Sequence, residues 1–114
     1  MRRRDVGILG EKLARDFLKQ RGYHIWETNY RCSEGEIDII ARDKDCLVFI
    51  EVRTKKSAEF GTPEESITPA KRHRLVAATT HYWQTHNNLP SSRRIDVVAV
   101  ELDQKGQAIT NRTH

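Results

Sequence analysis

A chain of 114 residues is the size of one domain built around one core. Folding should remove roughly 65% of its unfolded surface from water, enough to stand without disulfides. Twenty Lys and Arg against sixteen Asp and Glu leave a net charge of +4, a mild bias toward an anionic partner. No apolar run approaches the roughly 20 residues of a membrane helix, and Met1-Arg2-Arg3-Arg4-Asp5 leads into no signal-peptide core. A cytoplasmic, single-domain protein is expected, with a basic arm at 1–5, a core over about 7–102 and a short polar C-terminal tail. Cys32 and Cys46 lack CxxC spacing and read as reduced thiols.

The spacing predicts a first helix from about Val6 to Arg21, with Leu9, Leu13, Ala14, Phe17 and Leu18 on one side and Gly22 as the stop. Glu11 falls at the edge of that apolar stripe, so its carboxylate should point toward whatever the helix packs on. Tyr23 to Tyr30 reads as a strand, followed by a polar turn around Arg31 to Gly35. Glu36 to Ala41 and Cys46 to Arg53 read as a hairpin joined by Arg42-Asp43-Lys44-Asp45. Centring the turn between Asp43 and Lys44 pairs Glu36 with Glu51 and Asp38 with Phe49. Alternation then sorts Ile37, Ile39, Ala41, Val48, Ile50 and Val52 onto one face. The other face carries Ile40, Leu47 and Phe49 near the turn and Glu36, Asp38, Glu51, Arg53 and Lys55 at the far end. Two partly apolar faces imply a sheet covered by helices on both sides.

Thr68-Pro69 is an N-cap and first-turn pair for a second helix carrying Leu75, Val76, Ala78, Tyr82 and Trp83, which Asn87-Asn88 and Pro90 should stop. Arg94 to Leu102 reads as an interior strand. The expected fold class is α/β, a mixed sheet flanked by helices in the order α-β-β-β-α-β.

Chemistry concentrates at one end of the hairpin. Asp38 and Glu51 interrupt strongly apolar strands, Glu36 is an additional acid beside them, and Glu11 is aimed from the helix. Carboxylates brought this close raise one another's pKa unless a cation lies among them. A hard divalent ion such as Mg²⁺ or Mn²⁺ suits such a pair, taking its remaining ligands from water and phosphate, and phosphodiester hydrolysis is the chemistry these sites commonly serve. A set of surface ion pairs among Glu51, Arg53 and Lys55 is the alternative.

Gly35-Glu36-Ile37-Asp38-Ile39-Ile40-Ala41 followed by Val48-Phe49-Ile50-Glu51-Val52-Arg53 resembles the paired motifs of the PD-(D/E)XK nuclease superfamily. More closely, the chain is similar to the YraN-like family of small bacterial proteins, related to Holliday-junction resolvases. The match runs through Gly10-Glu11-Lys12-Leu13-Ala14, Phe60 to Pro69, Lys71 and Ile95-Asp96-Val97-Val98-Ala99-Val100. The resemblance implies a restriction-endonuclease-like fold and metal-dependent cleavage of DNA, including branched or structured DNA. It makes Asp38 and Glu51 metal ligands and catalytic acids, with the backbone carbonyl of Val52 a third donor and Glu11 completing the shell.

Arg53 stands where the superfamily usually has lysine. A guanidinium cannot serve as a general base, though it can hold a phosphate. Lys55 is a substitute on the same strand face. Arg53, Lys55, Lys56, Lys71, Arg72 and Arg74 form the expected nucleic-acid-binding set. A non-catalytic DNA-binding or partner-recruiting module on the same fold is the alternative function, and junction resolvases motivate a homodimer.

Overall fold

The computed structural model describes residues 2–56, 68–103 and 108–113, with only the backbone for Arg3, Lys56 and 108–113. The Phe60 to Ile67 part of the family-like motifs and the side chain of Lys56 lie outside the described residues. Helix α1 spans Arg3–Gln20, β1 His24–Cys32, β2 Gly35–Asp43, β3 Cys46–Lys56, α2 Pro69–Thr85, β4 Ser92–Leu102 and β5 Ala108–Thr113. The α-β-β-β-α-β order holds, and a fifth strand follows it. Among the described residues the sheet runs β1-β2-β3-β4-β5, antiparallel except for the parallel β3–β4 pair.

Helix α1 begins earlier than its apolar spacing indicates. The Val6 N–H bonds the Arg2 carbonyl at 3.0 Å, and Asp5 supplies an acid to the first turn, where it complements the helix dipole. Residues 3–5 of the expected arm therefore belong to the helix. The end is as expected. Gly22 at φ 87° closes a Schellman motif, with Tyr23 N–H on the Leu18 carbonyl and Gly22 N–H on that of Lys19.

Val6, Ala14 and Leu18 of α1 bury against Ile39, Ala41, Val48, Ile50, Val98 and Val100. The opposite sheet face carries Ile37, Ile40, Leu47 and Phe49, covered by Leu75, Ala78 and Tyr82 of α2. A Cβ at Gly10 would overlap the Thr54 side chain. Glycine there lets α1 settle directly on β3. Helix α2 opens as its sequence indicates, with Thr68 Oγ1 accepting from Lys71 N–H at 3.2 Å and Pro69 in the first turn. No helix among the described residues is long and apolar enough to cross a membrane.

Three further expectations are corrected. The hairpin turn is the two-residue Lys44-Asp45, with Lys44 at φ 54° and Asp43 paired with Cys46. Arg42 Nε donates to the Lys44 carbonyl at 2.7 Å, and Asp43 accepts from Arg94 at 3.1 Å, so both remain in the strand. The observed pair Ile39↔Ile50 is the last of this ladder, and its register counts Asp38 toward Glu51 in place of Phe49. A two-residue slip conserves faces while changing partners.

Second, Ile37 leaves the face of Ile39 and packs on the α2 side. Strand alternation therefore fails at Asp38. Third, the expected polar tail contains β5, which pairs with β4 from Val97↔Thr113 to Leu102↔Ala108. The β-branched Ile109, Thr110 and Thr113 suit a strand, and β5 makes β4 interior.

Candidate active site

The site forms where the ladder between β2 and β3 stops. Beyond Ile39↔Ile50, the Val52 N–H is taken by Asp38 Oδ2 at 2.8 Å. A side-chain carboxylate thus completes a main-chain hydrogen bond and is fixed beside Glu51. Burial raises the Asp38 pKa against the opposing effect of the Val52 N–H. Glu51 is pushed up to about 7, first by burial and then by the Asp38 charge, with Arg53 pulling the other way. The Asp38 charge thus favours the protonated form of Glu51.

Asp38, Glu51 and Arg53 open into a cleft of about 370 Å³, also lined by Gly35, Glu36, Lys71, Arg74 and Leu75. The main chains meet closely here: a Cβ on Gly35 would lie 2.9 Å from the Arg74 carbonyl oxygen. That approach brings the first turns of α2, and with them Lys71 and Arg74, to the acids. Arg53 Nη2 lies 3.5 Å from Glu51 Oε1, close enough for ionic attraction, yet Arg53 Nε and Nη2 are buried with no hydrogen-bond acceptor among the described residues. Leaving such a donor unsatisfied costs about 1–3 kcal/mol, more when it is charged. The cleft therefore holds donors preset for an anionic oxygen.

The other expected residues are distributed as follows. Glu36 is an exposed rim acid 3.9 Å from Arg31. Val52 lies at the site through its backbone, its N–H committed to Asp38. Glu11 does not line the cleft; its carboxylate accepts from Asn29 Nδ2 at 2.9 Å and lies 3.5 Å from Arg15. Lys55 is further along β3 and is not a lining residue, whereas Lys71 is. Arg72 is exposed on α2.

The sequence reading gave Lys71 and Arg74 only a general binding role, because their distance from β3 along the chain hid their convergence with Arg53. It passed over Asn29 altogether, although Asn inside a strand is a signal, being one of the few residue types that readily take positive φ.

Among the described residues no three acids, histidines or cysteines converge as a metal cluster. The donor set is the Asp38–Glu51 pair. Two carboxylates are a normal complement for Mg²⁺, which keeps several waters and takes phosphate oxygens as further ligands. A divalent ion would also offset the burial that raises both carboxyl groups and the Asp38 charge that raises Glu51. On that chemistry the residues fit the ion.

These features define an α/β domain with a paired-acid cleft at a strand splay, walled by cations from β3 and α2. The model of the uncharacterised protein family UPF0102 matches residues 10–100. A UPF0102 protein of Dehalococcoides mccartyi is 49% identical over 102 residues, covering 90% of this chain and 84% of the relative. One from Moorella thermoacetica is 48% identical over 105 residues, covering 92% and 88%. Another from Syntrophus aciditrophicus is 45% identical over 101 residues, covering 89% and 80%. The chain belongs to the UPF0102 family, the YraN-like family its motifs resemble.

Proposed function

We propose that the protein is a metal-dependent DNA endonuclease of the PD-(D/E)XK type, with branched or structured DNA as the substrate. The observation that carries this reading is the buried Arg53 guanidinium beside the Asp38–Glu51 pair, two of whose nitrogens make no hydrogen bond among the described residues. Acids that can exchange a proton for a divalent ion, next to donors lacking an acceptor, are what a phosphodiester and its metal require. Asp38 and Glu51 would hold Mg²⁺ or Mn²⁺, with the Val52 carbonyl available at the same point of β3. The ion would lower the pKa of a bound water and offset charge on the phosphate.

Arg53 presents its fork to the non-bridging phosphate oxygens, where a planar guanidinium gives two parallel hydrogen bonds. Lys71 and Arg74 hold the flanking backbone from α2, with Arg72 and Lys55 adding charge outside the cleft and Lys56 counted as a further cation from the sequence alone. A DNA substrate is consistent with the expected cytoplasmic location. Paired incisions across a junction would require a homodimer.

A non-catalytic DNA-binding or partner-recruiting module has one observation in its favour: the cation beside the acids is arginine, which stays charged and cannot accept the proton of the attacking water. Cleavage and binding assays on duplex, flap and four-way-junction DNA separate the two. Nuclease action predicts Mg²⁺- or Mn²⁺-dependent cleavage that disappears in the Asp38→Ala, Glu51→Ala double variant. It also predicts binding that weakens steeply between 50 and 200 mM salt, by about 10³-fold if six phosphates are contacted. Salt-sensitive binding with no cleavage would establish the module, and absence of both would remove DNA as the partner.

A further inference from the structure

We propose that Glu11 and Asn29 form a positioning pair that sets the Asp38 carboxylate, with Glu11 acting through Asn29 rather than as a ligand in the cleft. The inference rests on Asp38 being a site acid, as in the reading above. It starts from the alternation failure: Ile37 packs under α2 while Ile39, two residues on, packs under α1. In a regular strand they would share a face. Something must turn the chain at Asp38.

The cause lies on the neighbouring strand. The β1–β2 pairs Thr28↔Ile39 and Tyr30↔Ile37 bracket Asn29 and Asp38, and the register passes over that position. Asn29 is at φ 54°, a left-handed conformation that a strand residue adopts only when something holds it. Asn29 Nδ2 donates to Glu11 Oε1 at 2.9 Å. Glu11 is itself steadied by Arg15 at 3.5 Å and by the close seating of Gly10 on Thr54. Strand β1 lies at the sheet edge, so among the described residues no further strand pins Asn29 from outside.

With Asn29 turned, Tyr30 moves to the α2 side, where its ring meets Tyr82 edge-on at 5.1 Å, and Ile37 follows its partner there. Asp38, opposite the kink, is released from alternation and reaches the Val52 N–H at 2.8 Å. Helix α1 thereby acts on a cleft that its own acid does not line. In this role Glu11 needs an acceptor oxygen and does not need a charge, which distinguishes it from a metal ligand.

The test is the Val52 amide in metal-free protein, followed by its proton shift and its hydrogen-exchange rate. Asp38→Ala gives the reference for a lost bond. Asn29→Ala is expected to reproduce that shift and to speed exchange at least tenfold, with other β3 amides unchanged. Asn29→Gly, which takes positive φ without strain but cannot bond Glu11, is expected to recover only part of the wild-type signal. Glu11→Ala should show the loss and Glu11→Gln should not, because the amide oxygen still accepts from Asn29. If Asn29→Ala does not fold, the Glu11 pair gives the same reading. An unchanged Val52 amide in the Ala variants overturns the proposal. So does a Glu11→Gln variant that keeps the Val52 signal but loses Mn²⁺ affinity, which would make Glu11 a direct ligand. None of these readouts requires nuclease activity, so failure here and failure of the nuclease reading are separate results.

Discussion

Glu51→Gln is expected to raise the melting temperature at pH 8, by on the order of 5 °C, while removing the site's capacity for a divalent ion. Burial and the Asp38 charge push the Glu51 pKa from 4.5 up to about 7. The folded protein therefore holds this proton more tightly than the unfolded chain does. Below about pH 4.5 the carboxyl is protonated in both states and costs nothing. Between about pH 4.5 and 7 the unfolded chain is ionised while the folded one retains its proton, so this group's contribution to stability declines as pH rises. Above pH 7 the folded state carries the full burden of two adjacent half-buried carboxylates.

Glutamine has the shape of the neutral acid and no charge to desolvate. Its gain should be near zero at pH 4.5, grow toward pH 7 and level off above it. Thermal unfolding of both proteins at pH 4.5, 6 and 8 checks this. A variant that is equally destabilised at all three values would show that Glu51 is a structural partner rather than a strained functional acid. Destabilised acids retained in a cleft are the usual sign of a site whose ligand repays the cost.

The second large effect belongs to Arg53. Arg53→Met is expected to lower the rate of metal-dependent cleavage by about 10²–10³-fold, the usual result of deleting one preset donor that meets charge in the transition state. The same change should alter Mn²⁺ affinity by less than tenfold when measured at pH 8.5, above the Glu51 titration. Arg53→Lys retains the charge but not the two-donor fork, and should fall between methionine and wild type. Single-turnover cleavage together with Mn²⁺ titration of the three proteins separates these effects. Equal loss of metal binding and cleavage in Arg53→Met would assign Arg53 to holding Glu51 in place, with no contact to the phosphate.

Much of this arrangement was legible before the fold was seen. Ile39, Ala41, Val48 and Ile50 alternate with Ile40, Leu47 and Phe49 so regularly that the two buried faces of the hairpin, and hence the two covering helices, follow from the residues. Glu11 was correctly placed at the edge of the α1 stripe; what it would meet there was not, because Asn29 comes from a different strand. The hairpin register depended on two side-chain anchors, Arg42 on the turn carbonyl and Asp43 on Arg94. The second spans 51 residues and leaves no local signature. Ile37 was assigned to the wrong face for a similar reason: the positive φ of Asn29, next to its partner Tyr30 on β1, leaves no mark on the alternation of β2. Lys71 and Arg74 reach the acids only through the packing of α2 on the sheet, a distance that motif spacing does not encode. The acids themselves were the clearest signal, since Asp38 and Glu51 each sit between two aliphatic residues, where an unpaired charge would not be tolerated.

The account depends most on whether Asp38 and Glu51 hold a divalent ion. Calorimetric titration of Mn²⁺ into the wild-type protein and its Asp38→Asn variant at pH 7.5 tests that directly. A single site in the wild type, with release of protons from the acid pair and affinity lowered at least tenfold in the variant, is the result expected. Equal binding by the two proteins, or no binding by either, would contradict it.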